Sequence, residues 1–396
     1  MKKEDVSGLI VYLLIMALAI VFGLNVLRQH SATSGMDFWI YFLFIAGAIL
    51  VGVLFNAILF EMAHRLGARV GRYTVLSTNI LGLLWYKEEG KLHIKFSSYD
   101  GLTGETKILP KQDAKKEPNP APFLWFGTLF YIVELTGIII AFAACNQEGN
   151  EQVVKNIGYF FLVVAVIGGM ILLYNILPLH LDSTTDGYRL TMVTNAANKK
   201  AFNELLRVEY AISQGQTDVE IATFTDITNF TADLNLNKVY ILLDKREYDE
   251  AEKLLDIIIS GKSTLSPKVY IRARAQKIYI NIFTKPLEEA KEYYDREVPM
   301  VERRQLSNDL SMVSVRTYLL MSGLLDNSKS ECIIAINNVR RCFNSTPKQR
   351  RKTEANLFNE ALKKVDEAHP NWKLGEYSIV YEEKPEKKKG EKKGDK

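Results

Sequence analysis

Apolar residues fall into two patterns along this chain. Before residue 180 they form four nearly unbroken stretches, at about 8–27, 38–62, 122–145 and 157–177. After residue 196 they recur at helical spacing between charges, and no apolar run reaches membrane length. A helix needs roughly 20 apolar residues to cross a hydrocarbon core of ~30 Å, so each of the four stretches predicts a membrane span. The first reads as a retained span, because its apolar run exceeds the about 7–15 residues of a secretory signal. No small-x-small cleavage pattern follows it before Arg28.

Charge orients the spans. Lys2 and Lys3 precede the first, and ten lysines and arginines lie between the second and third. The other two loops hold Arg28 and Lys155 as their strong bases. Basic residues mark the cytoplasmic side. The N-terminus, the loop 63–121 and everything after residue 178 are therefore expected in the cytoplasm. The short loops suit a prokaryotic plasma membrane. The three cysteines, Cys145, Cys332 and Cys342, show neither a metal spacing nor a disulfide framework. The end of the chain, "EEKPEKKKGEKKGDK", has no aromatic or aliphatic residue beyond one proline and two glycines and reads as a disordered tail at 381–396. It is either a solubilising end or a segment drawn to anionic lipid.

The second half predicts paired amphipathic helices over 196–380. Two segments look repeated, "EYDEAEKLLD" at 247–256 and "PLEEAKEYYD" at 286–295. Glu250, Ala251 and Asp256 precede Glu289, Ala290 and Asp295 by 39 residues. A small alanine among large residues resembles the second helix of a tetratricopeptide unit, whose period is nearer to about 34 residues. That resemblance covers about 230–300 and implies a stack of helical hairpins that binds protein partners. A plain helical bundle without a ligand is the alternative.

Polar residues close two of the spans. "LFEMAHRLGARVG" at 59–71 puts Glu61 and His64 on one helix face at the end of span two. "YNILPLHLDSTTDGYRL" ends span four with Asn175 and Pro178, followed by His180, Asp182, Asp186 and Gly187. Proline breaks the helical ladder there. Ionisable groups in a span are costly and usually face the bundle interior or a cavity. At a membrane border they also occur simply because a charge can reach the headgroups.

These residues resemble the site-2 protease-like intramembrane zinc metalloproteases. That family carries His-Glu-x-x-His on a membrane helix, then Asn-x-x-Pro and Asp-Gly near a later span. This chain has Phe60-Glu61-Met62-Ala63-His64, then Ala68 and Gly71, then Asn175-Ile-Leu-Pro178 and Asp186-Gly187. The resemblance covers about 45–195. It implies a β-containing insert after the motif helix, at about 72–117 around "TNILGLLWYKEEGKLHIKF". It also implies Glu61 as general base on a zinc-bound water, with His64 and either Asp186 or Asp182 as ligands. The first histidine is replaced by Phe60, whose ring cannot ligate a metal.

The expectation is a mainly α protein. A four-span membrane domain with a small β insert (1–195) precedes a cytoplasmic, tetratricopeptide-like helical domain (196–380). Its function is expected to be non-catalytic, with no cofactor, binding a transmembrane segment or membrane protein, or a cytoplasmic protein, at the bilayer; nucleic acid is not among the partners. An active zinc metalloprotease that recruits His180 beside His64 and Asp186 is one alternative. A membrane-anchored helical adaptor unrelated to proteases is another.

Overall fold

The computed structural model describes residues 3–88, 90–98, 103–111, 116–178, 185–214, 216, 219–346 and 348–381. They are mainly helical, with one four-stranded antiparallel sheet. Contacts divide the chain into Met1–Val219 and Glu220–Lys396. The expected tail lies, from residue 382 on, outside the described residues.

In the first unit, α1 (Lys3–Thr33), α2 (Phe38–Val70), α3 (Pro120–Cys145) and α4 (Gln152–Ile176) contain the four apolar stretches. All four helices are long and apolar enough to cross a membrane. Their outer faces expose large apolar side chains such as Leu18, Leu43 and Val133. The second helix has 33 residues and outruns its predicted end at 62. At 1.5 Å per residue it is about 50 Å long. Its added turns are held by small residues against α3. Ala63 and Ala68 are fully buried, and a Cβ at Gly67 would meet the Pro122 carbonyl oxygen at 2.3 Å. The next helix starts with proline at its first position, where the missing N–H costs nothing, and the Asn119 side chain accepts from the Ala121 N–H.

The insert is the sheet: β1 (Tyr73–Ile80), β2 (Leu83–Glu88), β3 (Lys91–Phe96) and β4 (Gly104–Pro110), in the order β3-β2-β1-β4. The turn between β1 and β2 has positive φ at both Leu81 and Gly82, the form whose twist matches paired strands. Asn79 Oδ1 supports it by accepting from the Gly82 N–H at 2.9 Å. The third strand is exposed along its whole length and leaves one edge free. β4 packs on α2 and on α6 (Ala196–Ser213), which follows α5 (Asp186–Val193). By contacts α6 thus belongs with the sheet in the first unit, which runs to Val219. The Tyr73 hydroxyl donates to Asn203 Oδ1 at 2.5 Å, and Asn203 Nδ2 donates to the Pro118 carbonyl. These bonds tie α6 to the insert.

The second unit holds α7 (Asn229–Asp244), α8 (Tyr248–Ser260), α9 (Pro267–Thr284), α10 (Leu287–Glu297), α11 (Met300–Asn308), α12 (Met312–Leu320), α13 (Lys329–Ser345) and α14 (Lys348–Ala368). Residues 219–228 leading into it are not helical. The repeated alanines, Ala251 on α8 and Ala290 on α10, are both buried, and both helices pack on α9. That central helix also touches α7, α11 and α12, which is why even its Arg274, Gln276, Lys277 and Asn281 are buried. Cys332 and Cys342 are buried free thiols, and burial pushes the Cys332 thiol up to about 12.

Candidate functional site

The end of α2 and the start of α5 bring three of the candidate residues together. His64 Nε2 lies 2.9 Å from Asp186 Oδ2, and His64 Nδ1 lies 3.7 Å from Glu61 Oε2. In the tautomer with its proton on Nε2, the ring N–H donates to the Asp186 oxygen. All three side chains are buried. Both oxygens of Glu61 are also engaged. Thr103 Oγ1 donates to one at 3.1 Å and Thr106 Oγ1, on β4, to the other at 2.7 Å. A buried carboxylate is tolerated when its lone pairs find such donors.

Asp186 is aimed by the way α4 ends. The residue before a proline is pushed out of the helical region, and Leu177, before Pro178, has ψ 133°. Asn175 is buried and donates back to the Ile171 carbonyl at 3.0 Å. Thr185 donates to the Leu177 carbonyl at 2.5 Å and accepts from the Tyr188 N–H as the cap of α5. Gly187 then lies directly on the end of α4: a Cβ there would meet the Ile176 carbonyl oxygen at 2.2 Å. Glycine is what lets the first turn of α5 sit so close. His180 and Asp182 lie outside the described residues.

Gly187→Ala is accordingly expected to push α5 away from α4, at a cost of about 1–3 kcal/mol for the forced repacking. Loss of the His64–Asp186 bond would appear as a shift of the His64 ring signals in NMR. An unchanged His64 environment in a folded Gly187→Ala chain would show that Asp186 is placed by something else.

Phe60 lies one turn before His64 and is buried against α3. Its ring meets the His64 ring edge-on at 4.3 Å between centroids and stacks on Tyr131 at 5.4 Å. The fit to α3 depends on Gly127, where a Cβ would come within 2.4 Å of Phe60 Cε2. Phe123 closes the other side of the His64 ring, at 4.9 Å. The imidazole is thus walled by two phenyl rings, hydrogen-bonded to Asp186 at Nε2 and faced by the Glu61 carboxylate 3.7 Å from Nδ1.

A catalytic zinc takes three protein ligands and leaves one position for water. Here one of those three positions carries a phenyl ring, and both Glu61 oxygens already accept from hydroxyls. Among the described residues no group of three His, Cys, Asp or Glu side chains is placed to hold a metal ion. The described donors alone, His64 and Asp186, fall one short of the three ligands that zinc takes.

Sequence reasoning missed Thr103 and Thr106. In the structure buried Thr106 and Ile108 alternate with exposed Lys107, which marks the inward face of β4. It also missed Asn56 on α2 and Glu134 on α3, lone polar residues inside apolar runs. Comparison of the chain with family models, with curated proteins and with solved structures returns no match.

Proposed function

We propose that this chain is a four-span membrane protein with both termini in the cytoplasm, most at home in a prokaryotic plasma membrane. In this reading its site at the end of span two is a protease-like constellation that works without zinc. Its task is to bind a protein segment and not to cut it. The observation that carries the reading is the double use of Glu61. Its two oxygens accept from Thr103 and Thr106, while Phe60 fills the space beside Gly127 where a ligand histidine would stand. A general base needs an activated water within hydrogen-bond reach. A carboxylate whose two oxygens already accept from hydroxyls has no free lone pair aimed at such a water in this reading.

Binding has a surface available. An unpaired strand edge offers a ladder of backbone donors and acceptors to an extended segment, and β3 is such an edge. The helical second unit, tetratricopeptide-like in this reading, would hold a soluble partner on its stacked helices.

The test is a membrane-segment reporter co-expressed with the full chain. Wild type and Glu61→Gln are expected to leave the reporter uncut and to crosslink to it equally, with or without chelator. Ile94→Pro, which interrupts β3, is expected to abolish the crosslink. Chelator-sensitive cleavage that disappears in Glu61→Gln would overturn the non-catalytic reading. Its further loss in His180→Ala would assign a zinc ligand role to His180.

A further inference from the structure

Halfway along the apolar helices lies a second polar group that the site above does not use. Asn56 on α2 is fully buried, and Glu134 on α3 turns both carboxylate oxygens inward. Three oxygens there, Asn56 Oδ1 and Glu134 Oε1 and Oε2, are buried with no hydrogen-bond donor among the described residues. They face the same gap. A Cβ placed on Gly168 of α4 would lie 2.4 Å from Asn56 Oδ1 and 3.4 Å from Glu134 Oε2.

The orientation of the Asn56 amide is not free to remedy this. Its Nδ2 donates to the Gly52 carbonyl at 2.8 Å and to the Val164 carbonyl at 3.3 Å. Turning the amide over would offer an N–H to Glu134 but set the Asn56 oxygen against two carbonyl oxygens. The Tyr131 hydroxyl does not help either, because it donates to the Asn56 backbone carbonyl at 3.0 Å. Acceptors that face one another in a low-dielectric interior need a hydrogen or a cation between them.

We infer that the gap between α2, α3 and α4 is a proton-binding site: Glu134 is held there as the neutral carboxylic acid and donates its O–H to Asn56 Oδ1. One proton converts the carboxylate from two acceptors into a donor and an acceptor, and it removes a charge from the middle of the apolar helices. A cation such as sodium would require more oxygen ligands than the three that converge. Gly52 and Gly168 let α2 and α4 approach closely enough to seal the site. Tyr131, one turn from Glu134, links it to the border site through its stacking on Phe60. The inference rests on the reading that these helices span a bilayer.

The experiment is infrared spectroscopy of the full chain in lipid nanodiscs at neutral pH. The carbonyl stretch of a protonated carboxylic acid is expected in the wild type, shifted down in D₂O and lost in Glu134→Gln. In Asn56→Leu it should move to higher wavenumber, because the acid has lost its acceptor. Absence of the band in wild type overturns the inference without any variant. So does a band that survives Glu134→Gln, one that ignores Asn56→Leu, or one that grows when sodium is withdrawn, which would make sodium the occupant. Retention in the membrane pellet after alkaline washing reads the spanning assignment separately, so the two statements fail independently.

Discussion

Wild type is expected to purify without zinc and Phe60→His with about one zinc ion per molecule. The variant adds the missing imidazole one turn before His64, on the same helix face. His64 and Asp186 already stand 2.9 Å apart, close enough for a metal to be inserted between them with small shifts. Removing the phenyl ring also opens the space beside Gly127. Zinc would be measured by elemental analysis of wild type and variant purified side by side, before and after chelator. Stoichiometric, chelator-removable zinc in wild type would sink the proposal that the site works without metal. An empty variant would show that Thr103 and Thr106 hold Glu61 too firmly for the site to rearrange, and Thr106→Val in the same background tests that.

Arg316→Ala is expected to destabilise the helical unit by about 3–5 kcal/mol, the usual cost of leaving one member of a buried ion pair alone. Arg316 is fully buried on α12 and pairs with Glu354 on α14, itself 3% exposed. It also bonds Gln276 on α9 and lies over the Tyr279 ring at 4.9 Å. One side chain thus joins three helices. Alanine would leave Glu354 buried without its partner, and would remove the stem that packs there. Domain stabilities run at about 5–15 kcal/mol, so the loss is a large share. Hydrogen exchange of α9 and α12 amides in the full chain reads the opening free energy directly. Replacing the pair together, Arg316→Met with Glu354→Leu, should recover most of the loss. If Arg316→Ala leaves protection unchanged, the pair does not hold these helices together.

The four long helices are legible because length and apolarity state the whole requirement. Where α2 ends is not, since Ala63, Gly67 and Ala68 look neutral in a hydropathy scan and reveal their role only against α3. The meeting of His64 with Asp186 could be anticipated from the order of the two motifs. What anchors Glu61 could not, because Thr103 and Thr106 reach it only through the pairing of β4 with β1. The placement of α6 is similar. Its amphipathic pattern says that it must bury a face, and only the bond from Tyr73 to Asn203 says which partner it buries that face against. The Asn56–Glu134 pair was visible as two polar residues inside apolar runs, but their convergence depends on glycines on a third element.

If the helices span a bilayer as proposed, the length of α2 makes lipid a mechanical input to the border site. A helix of 33 residues exceeds a ~30 Å hydrocarbon layer by several turns. Such a helix answers a change in bilayer thickness by tilting or by standing further out. The sheet begins at Tyr73, and Gly71 is bonded to Asn119, so almost no slack separates helix from strand. Tilt of α2 is therefore passed to the sheet as a rigid lever. On the proposed spanning arrangement, the height of the free β3 edge above the headgroups depends on bilayer thickness. A reporter segment tethered at fixed height above the bilayer should crosslink to β3 with a yield that tracks acyl-chain length.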